Sequence, residues 1–268
     1  MILDIRTTIM IAAGLALLVG LSLRYVLRDY PAALWPSIRL WILGTVLQST
    51  AWVLYDLRDS APDWLTLVGG NALLSFAYAK HIQAVRAYVG RPNNRLLIFA
   101  PVVATALLEI LFTYLTPSMR WRTVSVSAVF CAQMICAVVA LLAWNQPRRR
   151  SYVLTAAAFI ALAAVLILRV AYEALSATAS SSALAAIGMQ AVVFGFAAFF
   201  PTVATLGFVM MCSDRLHQEL ERQATVDSLT GIATGAPSAS WRHVRLPQRT
   251  AIGAVWPCCF WMPTISSA

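Results

Sequence analysis

The stretch Leu96–Leu115, "LLIFAPVVATALLEILFTYL", carries one charged side chain, Glu109, in twenty residues. A helix rises 1.5 Å per residue, so such a run covers about 30 Å, the thickness of the hydrocarbon layer of a bilayer. Hydrocarbon offers no water to the peptide groups, so each must be paired within its own segment, and the run is a helix. A carboxyl group within it is costly to bury in lipid. Glu109 is therefore a candidate for a ligand-, ion- or proton-sensing cluster inside a helical bundle.

Working outward, six further runs read in the same way: Thr8–Leu23, Leu34–Tyr55, Trp64–Lys80, Val124–Trp144, Tyr152–Tyr172 and Ile187–Met211. The whole chain of 268 residues is 60% hydrophobic and 12% charged, too apolar for a soluble domain of this length. The expected fold class is thus an all-α polytopic membrane protein with seven transmembrane helices, followed by a disordered C-terminal tail. The first run is expected to be a retained span, since its flank "SLRYVLRDY" lacks a small-x-small cleavage site. The five cysteines form no framework: Cys131 and Cys136 lie in one span, Cys212 ends another, and Cys258 and Cys259 are adjacent.

The net charge of +9 is distributed as an orientation signal, and no nucleic-acid partner is expected. Loops on one side carry Arg24, Arg28, Arg39, Lys80, Arg86, Arg91, Arg95, Arg148, Arg149, Arg150, Arg215 and Arg222; the other side carries Arg6, Arg58, Arg120 and Arg122. The basic side is cytoplasmic, which puts the N-terminus outside, the C-terminus inside and the acidic connection "DLRDSAPD" outside. Short connections leave any stimulus to act on the spans, their turns or the surrounding lipid. Trp35, Trp41, Trp52, Trp64, Trp121 and Trp144 read as an aromatic belt near span ends. Gly69, Gly70, Gly188, Gly195 and Gly207 would allow close helix approach.

After Met211 the character changes. The segment "CSDRLHQELERQATVD" is polar and helical, with Leu216 and Leu220 one turn apart, and suits a helix continuing from the last span into the cytoplasm. It leads into "VDSLTGI". Asp227, Leu229, Thr230, Gly231 and Ile232 fit the D-x-L-T-G-[LI]-x-N-R-R pattern that opens GGDEF domains, so the chain resembles the membrane-bound GGDEF-family diguanylate cyclases over these residues. The spans, particularly "APDWLTLVGGNALLSFAYAKHIQAVRAYVGRP", also look like the seven-helix input modules that precede such domains.

The pattern breaks after Ala233, where Thr234, Gly235 and Ala236 stand in place of N-R-R. From Ala233 to Ala268 there is no Asp or Glu, while Arg242, Arg245 and Arg249 accumulate among Trp, Pro and Cys. A metal- and GTP-binding domain needs carboxylates, and this segment supplies none. A one-base slip near Ala233 accounts for the break. In the shifted frame Ala-Thr-Gly-Ala-Pro permits N-R-R-A, and "QRTAIGAVWPCCFWMPTISSA" permits A-H-R-H-R-R-R-L-A-V-L-L-L-D-A-D-H-F-K-R. The triplet across Trp261 and Met262 is forced, because each has one codon, and it encodes Asp. The restored string is similar to the first core strand of a GGDEF domain and its L-D-x-D-x-F-K turn.

The resemblance implies an organisation. Residues 1–211 would be the membrane input module, 212–226 a cytoplasmic signalling helix, 227–233 the start of the GGDEF domain, and 234–268 a frameshifted, disordered tail. Intact relatives join two GTP molecules into cyclic di-GMP, using Mg2+ and two facing domains, so a homodimer through the signalling helix is implied. The location implied is the bacterial inner, or cytoplasmic, membrane. No catalytic residue, cofactor or metal ligand is assigned in this chain, and Asp227 would serve a helix start or domain packing. Within the spans, Arg169 and Glu173 are four apart and share a helix face, reading as a sensing group or a structural pair beside Glu109. Asn71, Gln48, Gln133 and Gln190 read as interhelical hydrogen-bonding groups. His81, beside Lys80 at the cytoplasmic edge, is not expected to hold metal or haem alone. The function expected is that of a membrane sensor and anchor for cyclic di-GMP synthesis. A stand-alone sensor acting through a partner protein is the alternative, and a small transporter a more remote one.

Overall fold

The computed structural model describes residues 5–26, 30–58, 60–142, 150–175 and 183–225. The chain divides into two compact units, Met1–Leu220 and Glu221–Ala268, and of the second only the residues up to Thr225 are described. Among the described residues there are seven α-helices and no strand: α1 (Ile5–Val26), α2 (Trp35–Asp56), α3 (Gly70–Tyr88), α4 (Arg95–Ile110), α5 (Met119–Leu142), α6 (Arg150–Leu175) and α7 (Ala183–Thr225). Two widened π-turns extend them. One, Trp64–Gly69, leads into α3, and the other, Leu111–Leu115, continues α4.

Within the described residues each of the seven apolar runs is helical. Among the described residues four segments are long and apolar enough to cross a membrane: Arg95–Leu115, Met119–Leu142, Ser151–Leu175 and Gly188–Arg222. The apolar part of α1, Ala13–Tyr25, is shorter, and α2 and α3 fall below the same hydropathy. They do so because they carry polar side chains that are buried between helices. Ser37 Oγ donates to the Ala84 carbonyl across α2 and α3 at 2.7 Å. Gln133 of α5 donates to the Ser75 carbonyl of α3 at 2.9 Å and accepts from its hydroxyl. A buried polar group partnered in this way costs far less than the same group facing lipid.

The loop ends are determined by local chemistry. α3 stops at a Schellman turn: Gly90 takes φ +76°, its N–H donates to Ala87, and the Arg91 N–H donates to Arg86. Only glycine enters that left-handed conformation without steric cost. Asn94 then caps α4 by accepting from the Leu96 N–H. Pro36 occupies the first turn of α2, where no N–H is missed. At the opposite end of the bundle Arg120 of α5 donates to the Glu173 and Ala174 carbonyls, placing a cation on the C-terminus of α6.

The outward faces are apolar. On α4 the buried residues are Ile98, Thr105 and Glu109, whereas Leu96, Phe99, Val103 and Leu107 are more than half exposed. A contiguous surface of that kind suits acyl chains, and a water-soluble protein would not tolerate it.

Inside the bundle the packing corrects part of the aromatic-belt expectation. Trp64 and Trp121 are exposed, as belt residues are, but Trp41 and Trp52 are buried. Trp41 stacks on Phe208 of α7, centroids 4.2 Å apart and planes 5° apart, and its indole N–H donates to Thr205. Trp144 lies outside the described residues. His81, expected at an edge, is buried beneath Trp41 at 4.7 Å and packs so tightly on α2 that a Cβ at Gly44 would meet its ring at 2.7 Å. Of the glycines expected at helix contacts, Gly207 sits directly on Thr155 and Gly70 against Tyr55, while Gly188 and Gly195 meet nothing within 4 Å.

Candidate functional site

Where α2, α4 and α6 end and α3, α5 and α7 begin, the helices diverge around a cavity of about 420 Å³. Each of the six contributes a polar group to its wall: Tyr55 from α2, Asn71 from α3, Glu109 from α4, Arg122 from α5, Arg169 from α6 and Gln190 from α7. Arg58, just past α2, joins them. The remaining wall is mostly apolar, with Trp52, Tyr78, Phe130 and Phe194 among aliphatic side chains and the hydroxyls of Thr123 and Ser127.

Asn71 organises the polar part. Its carbonyl oxygen accepts from the Tyr55 hydroxyl. Its amide donates to Glu109 Oε1 at 2.6 Å and to the Leu67 carbonyl at 3.0 Å. Leu67 belongs to the π-turn before α3, and a wide turn sets a carbonyl aside from the regular helical ladder, where a side chain can reach it. The other π-turn begins two residues after Glu109, and its Leu111 carbonyl accepts from the Thr116 N–H. Both irregular turns therefore flank the two residues that meet across the cavity.

Glu109 is only 2% exposed, although it lies in the least buried of the four long apolar segments. It sits on the same inward stripe as Ile98 and Thr105. Its second oxygen, Oε2, has no hydrogen-bond partner among the described residues and stands 3.9 Å from Arg122 Nε. Arg122 also reaches Thr113 with another guanidinium nitrogen at 3.4 Å. Opposite them, Arg169 donates to Gln190 Oε1 at 3.2 Å. The Trp52 indole N–H, likewise buried, makes no hydrogen bond to the described residues.

The sequence-derived candidates are thus partly brought together. Glu109 and Arg169 line one cavity, but Glu173 does not; Glu173 interacts with Arg169 electrostatically, with no close salt bridge between them among the described residues. One helical turn of spacing places both near the end of α6. There Arg169 turns toward α7, while Glu173 offers its main-chain carbonyl to Arg120. Asn71, Gln133 and Gln190 do bond between helices, whereas Gln48 is buried with neither amide atom partnered. Tyr55, Arg58, Arg122 and Trp52 were not expected at a site. The two arginines were read as loop charges; α5 begins at Met119, before the apolar run that starts at Val124, and so takes Arg122 into its first turn. Asp227, Leu229, Thr230, Gly231 and Ile232, and the tail beyond them, lie outside the described residues. Among the described residues no group of three His, Cys, Asp or Glu side chains could hold a metal ion. No family model matches the chain, and neither the curated proteins nor the solved structures give a match.

Proposed function

We propose that the chain is the sensory and anchoring membrane module of a diguanylate cyclase. It would cross the bacterial cytoplasmic membrane seven times, with its N-terminus outside and its C-terminus inside. The observation that carries this reading is the junction at α7. That helix is described over 43 residues, Ala183–Thr225, with Pro201 inside it, and the Asp227-x-Leu229-Thr230-Gly231-Ile232 motif follows it in the sequence, outside the described residues. At 1.5 Å per residue it measures roughly 65 Å, about twice the hydrocarbon thickness, so a membrane-crossing α7 must project well beyond the lipid. Its last two turns are polar, as an emerging helix requires. A helix that leads from the last apolar span toward the motif in the sequence is what a cytoplasmic domain needs if a change within the membrane is to reach it, and the same helix could pair two copies.

The charge distribution supports the orientation. Of the four arginines on the sparsely charged side, Arg122 lines the cavity and Arg120 caps α6, while Arg58 lines the cavity and stays exposed. The other side keeps its larger clusters. In this orientation the polar cavity lies toward the outer surface, where an external stimulus would meet it. The cyclase chemistry would be metal-assisted phosphoryl transfer between two GTP molecules, performed by a domain in the shifted frame; Mg2+ and GTP belong to that domain and to no residue described above.

Two measurements test the reading. Cysteines placed beside Arg149 should be shielded from an impermeant thiol reagent added outside, and cysteines beside Asp59 should react. Membranes carrying the gene with one base restored near Ala233 should convert GTP to cyclic di-GMP, while membranes carrying the present chain should not. Reversed labelling would refute the orientation. A restored frame that meets an early stop would remove the cyclase and leave a sensor acting through a partner protein.

A further inference from the structure

We infer that the cavity between α2 and α7 is a binding site for a small organic anion, namely a carboxylate whose apolar, preferably aromatic, body also carries an N–H or O–H donor. The inference rests on the chain being a membrane-embedded sensory module, and it names the ligand class of that module.

Charge sets the sign of the ligand. The wall holds Arg58, Arg122 and Arg169 against Glu109 alone, a surplus of two positive charges in a recess walled by low-dielectric side chains. Arg169 is held toward the cavity by one bond to Gln190, a neutral partner, while Glu173 acts on its charge from outside the cavity wall. A planar guanidinium with free donors is well suited to a carboxylate.

Unpartnered atoms set the rest of the ligand. Glu109 Oε2 is an acceptor and Trp52 Nε1 a donor, each on a side chain only 2% exposed and each lining this cavity without a hydrogen bond to the described residues. Leaving such groups unmet is costly, and a ligand supplying a donor to one and an acceptor to the other removes that cost. The volume of about 420 Å³ falls in the range of small-molecule sites, and Trp52, Tyr78, Phe130 and Phe194 offer ring faces and edges to an apolar body. A simple fatty acid would satisfy the arginines but leave Glu109 unmet. An amine of the same shape would satisfy Glu109 but meet three arginines.

The test uses the full chain in phosphatidylcholine nanodiscs, with binding followed by calorimetry and by thermal unfolding. The probes are phenylacetate, 4-hydroxyphenylacetate, indole-3-acetate and tyramine. The two donor-bearing carboxylates should bind most tightly and raise the unfolding midpoint. Phenylacetate should bind more weakly, and tyramine should not bind. Arg169→Gln should weaken the carboxylates roughly tenfold to a hundredfold, the usual consequence of losing a charged hydrogen bond, with Arg169→Lys intermediate. Ala197→Leu, which fills the cavity from α7 without touching its charges, should abolish binding while the protein stays folded. Tyramine binding best, no carboxylate binding, or affinities indifferent to both Arg169→Gln and Ala197→Leu would each overturn the proposal. So would displacement of the probes by phosphatidylglycerol in the disc, since that would make a lipid headgroup the occupant. None of these readings depends on GTP turnover, so a failure of the cyclase assignment and a failure of this site are separately visible.

Discussion

The two halves of the bundle solve the same problem differently. Where α2 begins and α3 ends, the interior is filled by rings: Trp41 lies flat on Phe208, meets His81 and Phe159, and leaves its only polar atom bonded to Thr205. Where α2 ends and α3 begins, the interior is a cavity bounded by Tyr55, Asn71, Glu109 and three arginines, with two buried polar atoms unpartnered. A close-packed interior transmits a displacement because its side chains cannot absorb it. An open polar one can accept a ligand and rearrange. The aromatic contacts run from one half to the other. Tyr78, on the cavity wall, meets Phe200 of α7, which meets Phe159, and Trp41 and Phe208 follow. From there Tyr88 bonds the Met211 carbonyl at 2.6 Å and Ser151 bonds Asp214 at 2.6 Å, fastening α7 close to where it turns polar. The difference is one of compliance, and under the sensory reading proposed above the cavity half would change on binding and the packed half would carry the change along α7.

The largest effect should come from emptying the packed half. Trp41→Ala removes a fully buried indole, its stack on Phe208 and its bond to Thr205, and should cost about 3–5 kcal/mol in denaturation from mixed micelles. Phe194→Ala, at the cavity wall and only partly buried, should cost less than half as much because it has fewer contacts to lose. Equal costs would erase the distinction between the two halves.

A smaller effect tests the seam between α6 and α7. A Cβ on Gly207 would stand 2.5 Å from Thr155 Oγ1 and 2.9 Å from its main-chain nitrogen, and the backbone cannot step aside as a side chain can. Gly207→Ala should therefore destabilise by about 1–3 kcal/mol, as overpacking does. Gly195→Ala, twelve residues earlier in the same helix with nothing within 4 Å, should be neutral or gain up to about 1 kcal/mol from helix propensity. If the two substitutions behaved alike, α7 would not be seated on α6 as described.

These particulars also show what could be read from the chain alone. The apolar runs were legible because hydrocarbon forces every such run into a helix, and Glu109 stood out because a charge within twenty apolar residues has few reasons to be there. The inward stripe of Ile98, Thr105 and Glu109 follows from helical spacing. The partners did not follow. Arg58 and Arg122 have the sequence appearance of loop cations, and only the packing of α2 and α5 against their neighbours brings them to the cavity wall. Trp41 and Trp52 have the composition of interface anchors, yet depth depends on which face meets a neighbour. Arg169 and Glu173 satisfied a spacing rule that permits a pair without requiring one, and Gln190 and the exposed carbonyls at the end of α6 competed successfully for Arg169 and for Arg120 respectively.

The smallest predicted effect is the most informative about the cavity half. Tyr55, Asn71 and Glu109 form a chain of hydrogen bonds across three helices, Asn71 accepting from one and donating to the other. If that chain were a rigid strut, removing the Tyr55 hydroxyl and the Asn71 amide should show strong coupling. Asn71 also donates to the Leu67 carbonyl, however, and Glu109 keeps a second oxygen near Arg122, so each member has somewhere else to turn. Interhelical hydrogen bonds within a bilayer are weak on average, because the separated helices also find partners. The double-mutant cycle of Tyr55→Phe and Asn71→Ala should therefore return a coupling of only about 0.6 kcal/mol, although Asn71→Ala alone costs more through the stranded Glu109. A coupling well above about 1.7 kcal/mol, the upper end for such bonds, would mean a network locked in one arrangement. The cavity half would then be as stiff as the packed half, and a ligand there would have nothing to shift.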